Sequence, residues 1–382
     1  MLNMQVRSHS IYDHHFSNWA TEVHNNWTYD DFLKDPHYRK QWVSITSLAN
    51  DERNNDIYLG LGSFSGELLW RFDRDTESIE CLGYERIADA YDAKFHRSLE
   101  LDHDGVLYAA TALFHDIDKQ FEAEGGRLVS YNTQTDTFEV LGIPVPKVYV
   151  QSIALDKSRR VIYGFGLSPE VFWKHDLESG ESTFLAYLGS GVEMAQAHSP
   201  VIDDEGRVWG TYGILRAFAM DPGPDSIRLF CYDPDSDSIE FLKHGLPSIG
   251  GDKGRIDGAV NGGDGHLYLG TEAGVLVRLD PTNGDVKQLG KPCAKRRMAA
   301  LQRGPDGLLY GIAGDNYDVH VFAYDTEAEK FVGEAPLYDR ERGISPVRIH
   351  NMVLTTDMTI YAGENDNNTR PSYLWECRLT TP

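Results

Sequence analysis

Cysteine is scarce: the 382 residues contain four, Cys81, Cys231, Cys293 and Cys377, widely separated along the chain. No zinc-ligand spacing and no disulfide framework can be built from them, so buried structural thiols are expected. Basic residues are also in deficit, 36 against 59 acidic, for a net charge of −23. That balance argues against a nucleic-acid partner, which needs a basic face. An anionic small ligand would need a local basic cluster within an acidic shell. Apolar runs are short, none approaching the ~18 residues of a membrane span, so no membrane partner is expected. The opening MLNMQVRSHSIYDHHF has no apolar core of signal-peptide length. A cytoplasmic location is therefore expected, or secretion if a leader has been removed. What remains is a globular profile, with 41% hydrophobic, 11% aromatic and 25% charged residues.

A repeat fills most of this chain. Asp-Gly or Glu-Gly followed by an apolar triplet occurs as DGVLY (104–108), EGRVW (205–209), DGHLY (264–268) and DGLLY (306–310). Degenerate copies are NNDIYLG (54–60), SRRVIYG (158–164) and DMTIYAG (357–363). The aromatic markers are Tyr58, Tyr108, Tyr163, Trp209, Tyr268, Tyr310 and Tyr361. About twenty residues after each marker comes an apolar strand, an Asp/Asn-rich turn and a further strand, as in WRFDRDTESIECLG and VSYNTQTDTFEVLG. Asp, Asn and Gly suit such tight hairpins. Each unit reads as four strands, A to D, and repeats of this length predict an all-β, seven-bladed β-propeller with four-stranded antiparallel blades. The last unit lacks its D strand because the chain ends, so an early segment, Met4–Ser8, is expected to supply it and close the ring. Residues 1–40 read as a lead-in with that closing strand, and 41–382 as the propeller.

In a propeller the start of each A strand and the end of each B strand meet at one mouth of the central channel. The A-strand starts carry Lys94 and His96, Tyr149 and Gln151, His198, Arg255 and Asp257, Arg296 and Arg297, and Arg348 and His350. The B-strand ends add His115, Tyr212 with Arg216, Glu272, Asp315 with Tyr317, and Glu364 with Asp366 and Arg370. His96 and His115 are expected to be neighbours. Such a basic funnel in an acidic molecule is what an anionic substrate needs. Each residue also has a plainer reading: a lone buried histidine is commonly structural, a Lys-Arg-Arg run is commonly a solvated loop, and GENDNNTR can be a polar loop bonded to itself.

The stretches AKFHRSLELDHDGVLYAAT and GGRLVSYNTQTDTFEVLG, with the ending IHNMVLTTDMTIYAGENDNNTRPSYLWE, resemble the seven-bladed propeller polysaccharide lyases. The similarity is to the ulvan lyases and the L-rhamnose-α-1,4-D-glucuronate lyases, over roughly blades 2 to 7. A related propeller group has rhamnosidase activity on the same linkage. The resemblance implies a catalytic His pair, a Tyr and an Arg. His96 and His115 match the pair, Tyr149 matches the tyrosine by blade position, and Arg297 or Arg216 stands for the arginine. The Cys/His zinc cluster of some ulvan lyases has no counterpart in this chain.

The implied chemistry is β-elimination at a glycosidic bond 4-linked to a uronic acid. A base must remove the C5 proton, strong donors or a cation must hold the carboxylate as charge develops, and an acid must protonate the leaving oxygen. His96 or His115 with Arg297 is expected to neutralise the carboxylate. Tyr149 or the other histidine moves the protons. Lys94, His198, Tyr212, Arg216, His350 and Glu364 contact the substrate, an anionic oligosaccharide or polysaccharide. No cofactor is required, and a divalent cation, calcium or manganese, is left open. A monomer or small homo-oligomer is expected. Two other readings stand beside this one. A glycoside hydrolase on the same scaffold would use a carboxylate pair drawn from Glu364, Asp366, Asp315 and Asp257. A non-catalytic binding propeller would make the histidines dispensable.

Overall fold

A computed structural model describes residues 2–12, 41–113, 121–167, 169–189, 198–214, 226–247, 254–367 and 369–380. Among them, 28 strands form seven four-stranded sheets, the first two joined through a single bridge between Gly62 and Lys94. The fold class is the all-β, seven-bladed propeller. No helix among the described residues is long and apolar enough to cross a membrane.

The chain divides into two compact units. One comprises Asn3–Val150, Asn316–Asp318 and Leu337–Pro382. Its first sheet runs β2 (Val43–Asp51), β3 (Asp56–Ser63), β4 (Leu69–Asp73) and β5 (Ser78–Cys81). Its second runs β6 (Asp92–Leu101), β7 (Val106–Leu113), β8 (Leu128–Asn132) and β9 (Thr137–Gly142). Its third is β26 (Ile349–Leu354), β27 (Thr359–Glu364) and β28 (Tyr373–Leu379), completed by β1 (Met4–Ser10). Met4 pairs with Leu379 and Ser10 with Tyr373, so the N-terminal segment supplies the missing D strand. The other unit comprises Met1–Leu2, Gln151–Asp315 and Val319–Pro336. It holds the sheets that begin with β10 (Tyr149–Asp156), β14 (Val201–Ile202), β18 (Ile256–Asn261) and β22 (Met298–Arg303).

All seven marker aromatics lie on second strands and are buried. Burial of such a ring contributes about 1.5–3 kcal/mol. In the first unit the marker meets the third strand of the following sheet: Tyr58 lies 6.2 Å from Tyr131 and Tyr361 5.6 Å from Phe72, ring centre to ring centre. The other unit repeats this with Tyr163 on Tyr232 (5.7 Å) and Tyr268 on Tyr324 (6.4 Å). The markers thus join neighbouring sheets.

Five of the first strands, β2, β6, β18, β22 and β26, carry β-bulges. Register shifts leave Thr46 of β2, Asp257 of β18, Ala299 of β22 and His350 of β26 outside the ladder. In β6 a larger bulge sets His96, Arg97 and Ser98 against Ala110 alone, with Arg97 at φ 48°. Hydroxyls stabilise it: Thr46 donates to the Phe95 carbonyl (2.6 Å) and Ser98 to the Ala110 carbonyl (2.6 Å), while Ser47 accepts from the Ser98 and Leu99 amides (2.9 and 3.0 Å). Bulges commonly re-aim side chains beside functional sites.

Candidate active site

In the first unit β2 lies beside both β6 and β26. Its side chains at the shared end are small, Ser44, Thr46 and Ser47, and His96 and His350 meet across them. The two Nε2 atoms are 2.6 Å apart, with ring centres at 4.4 Å in an edge-on arrangement. Both residues are buried, at 6% and 4% exposure. Each histidine follows a basic residue two positions earlier, Lys94 and Arg348, and the intervening Phe95 and Ile349 point into the core. Both histidines sit in β-bulges, where period-two alternation breaks, so the bulges set the direction of the two rings. A loop following β27 closes over this end. The Asn365 amide donates to the Arg348 carbonyl (3.0 Å), the Asp366 amide to Ser44 Oγ (3.0 Å), and Asp366 Oδ2 lies 3.4 Å from Arg348 Nη1.

Two Nε2 atoms this close hold one proton between them, one ring donating and the other accepting. Such a pair can offer an unprotonated nitrogen and an N–H to one ligand once it parts.

Tyr149, at the start of β10 and half-buried, comes close to the backbone of 126. A Cβ on Gly126 would stand 2.3 Å from the Thr111 carbonyl oxygen and 3.1 Å from Tyr149 Cα, so only glycine permits this approach.

The other unit carries a second cluster. Asp257, on the β18 bulge and 2% exposed, receives Arg297 Nε at 3.0 Å on one oxygen and lies 3.6 Å from His198 Nδ1 on the other. Arg297 adopts φ 62° and its amide donates to the Glu272 carbonyl (2.7 Å), while Arg255 pairs with the Glu272 carboxylate at 3.3 Å. The arginine chosen from the sequence as a substrate cation is thus engaged by a buried carboxylate. Among the described residues, no three His, Cys, Asp or Glu side chains are grouped to hold a metal ion.

No protein-family model matches this sequence, and no curated protein matches it. Solved structures do. A virginiamycin B lyase from Staphylococcus aureus superposes with a TM-score of 0.63 at 11% identity, covering 88% of this chain and 95% of that one. A catalytically inactive His-to-Ala variant of the S. aureus lyase, bound to quinupristin, gives 0.62 at 10% identity over 99% and 100% of the two chains. The extracellular domain described as part of a one-component system of B. thetaiotaomicron gives 0.59 at 15% identity, over 88% of this chain and 39% of that one. The likeness is one of fold: the same scaffold serves lyases and sensor domains. None of these is a polysaccharide lyase, so kinship with the ulvan and rhamnose-glucuronate lyases rests on the motifs alone.

The geometry bears on several of the expected site residues. Among the described residues His96 meets His350, a residue assigned from sequence to substrate contact; His115, the expected neighbour of His96, and Arg216 lie outside the described residues. Glu364 does not face a ligand. It is fully buried, and Arg370 grips both its oxygens at 2.7 and 3.0 Å. Tyr212 turns outward along its sheet: its hydroxyl donates to the Leu242 carbonyl (2.8 Å) and its ring meets Phe241 at 4.9 Å. Four of the arginines expected at the channel mouth are ion-paired: Arg297 with Asp257 and Arg255 with Glu272 in one unit, Arg348 with Asp366 and Arg370 with Glu364 in the other. The reason is physical, since a guanidinium leaving water needs a counter-charge. Arg97 and Asn365 were missed from the sequence. Arg97 follows the histidine and reads as the outward member of an alternating strand, and Asn365 hides in a polar loop.

Proposed function

We propose that the protein is a carbon–oxygen lyase acting on uronate-containing saccharides by β-elimination, with rhamnose-glucuronate linkages favoured. The observation that carries this reading is the buried contact between His96 and His350, each two residues after a basic side chain. Elimination next to a carboxylate needs a base and strong donors at one point; the paired imidazoles supply the proton-moving groups, and Lys94, Arg97 and Arg348, their neighbours in sequence, are the cations at hand. Lyases occur on the same fold, one of them inactivated by loss of a histidine, which supports a lyase in general; the uronate substrate rests on the sequence motifs alone. The hydrolase alternative asks for a pair of accessible carboxylates. Glu364 and Asp257 are buried in ion pairs, and nothing favours that reading over elimination.

The test is incubation with gum arabic side chains, ulvan and other uronate-containing glycans, followed by ultraviolet absorbance. Elimination yields an unsaturated sugar that absorbs; hydrolysis does not. His96→Ala and His350→Ala should each lower the rate about 10²–10⁴-fold. Reducing sugar released without absorbance, or variants as active as the parent, would overturn the proposal. Virginiamycin B belongs in the same panel, because the structural neighbours carry that substrate in their names.

A further inference from the structure

We infer that Asn365 is a positioning residue that fixes the tautomers of the histidine pair, making His350 the hydrogen-bond donor and His96 the proton acceptor. The argument starts at Asp366. Its Oδ2 lies 2.9 Å from Asn365 Nδ2 and 3.4 Å from Arg348 Nη1. A carboxylate beside a guanidinium is an acceptor only, so the Asn365 amide must present its NH₂ there. Flipping the amide would set two acceptor oxygens at 2.9 Å. The same Nδ2 lies 3.5 Å from His350 Nδ1. An NH₂ facing that nitrogen favours it unprotonated, which places the proton of neutral His350 on Nε2. From there it points at His96 Nε2, 2.6 Å away, which must then be bare, leaving the His96 proton on Nδ1. The Asn365 carbonyl oxygen is buried with no hydrogen-bond partner, the cost of holding the amide this way round. Among the described residues, Asp366 and Arg348 reach the pair through Asn365, and Lys94 and Arg97 flank His96 in the chain.

The roles that follow rest on the lyase reading; the tautomers do not. When substrate parts the rings, His96 Nε2 takes the C5 proton. The C5–H electrons form the C4=C5 double bond as the C4–O bond breaks. His350 Nε2–H, neutral throughout, donates to the carboxylate as charge builds on it. The leaving oxygen takes its proton from water, and His96 returns its own to solvent.

The test is nitrogen-15 spectroscopy of histidine-labelled protein at neutral pH, with His96→Gln and His350→Gln used to assign the signals. The expected spectrum shows His350 protonated on Nε2 alone and His96 on Nδ1 alone. In Asn365→Leu, which removes the NH₂ that faces His350 Nδ1, the preference for Nε2–H should be lost and an Nδ1–H population should appear in the His350 signals. A parent spectrum with His350 protonated on Nδ1 would overturn the inference, as would a folded Asn365→Leu protein with unchanged tautomers. If that variant fails to fold, the parent spectrum alone decides. The correct tautomers in a protein inactive on every glycan would overturn the proposed function and leave this inference standing.

Discussion

Glu364 receives six donors: Arg370 through both terminal nitrogens, the Val347 and Tyr373 amides at 2.9 Å, the Asn367 amide group at 2.8 Å and the Trp375 indole at 3.4 Å. A carboxylate so enclosed fastens the loop after β27 to β28, and with it the residues at 365 and 366. Glu364→Ala leaves the Arg370 guanidinium buried without its counter-charge, and breaking such a pair costs about 3–5 kcal/mol. Denaturant unfolding checks this; a loss below about 1 kcal/mol would remove Glu364 from the scaffold. The sequence could not separate the two readings of GENDNNTR, since acid and base six residues apart look alike whether they face a ligand or each other. The histidines were more legible. The basic-x-His spacing at 94–96 and 348–350 is visible in the chain. That His350 meets His96 was not visible, because it depends on bulges, and a bulge has no sequence signature of its own.

At the scale of the hairpin the sequence was most informative, because turn chemistry is local. In all seven sheets the residue three positions before the marker aromatic has positive φ: Asn55, Gly105, Arg160, Gly206, Gly265, Gly307 and Met358. Four are glycine, the basis of the repeat signal; the other three explain why those copies looked degenerate. A non-glycine residue in this region costs about 1–2 kcal/mol. Gly307→Ala isolates the effect, since the added Cβ would meet nothing within 4 Å and φ is +85°. It should destabilise by about 1 kcal/mol. Met358→Gly, at φ 64°, should act in the opposite sense and raise the melting temperature. Calorimetry of the two variants checks the pair, and shifts of the same sign would show that side-chain packing, not backbone geometry, governs these turns. The second hairpins follow the same logic: Asp73, Asn132, Asp176, Asp233, Asp280 and Asp325 each accept a backbone amide two residues on.

At the scale of the whole chain, the strand near its beginning completes the sheet at its end, and a charged cluster holds that junction. Glu376 on β28, with its side chain 1% exposed, accepts from His9 Nε2 on β1 at 2.7 Å and from Arg378 Nε at 2.5 Å. Burial alone would raise its pKa, but these hydrogen bonds outweigh burial and hold the carboxyl below its ordinary value. A carboxyl depressed in the folded state stabilises the protein above its unfolded pKa of about 4.5. That contribution falls away as acid protonates the native group. Glu376→Gln should therefore lower stability at pH 7 by about 1.5–3 kcal/mol, the range for a hydrogen bond to a charged group. The gap between parent and variant should shrink steadily below pH 4.5. Self-repulsion of a chain with net charge −23 also changes with pH. That field is nearly common to both proteins, so the difference between their unfolding curves isolates the junction. A gap that stayed constant through the acid range would mean that the carboxylate holds β1 by shape alone.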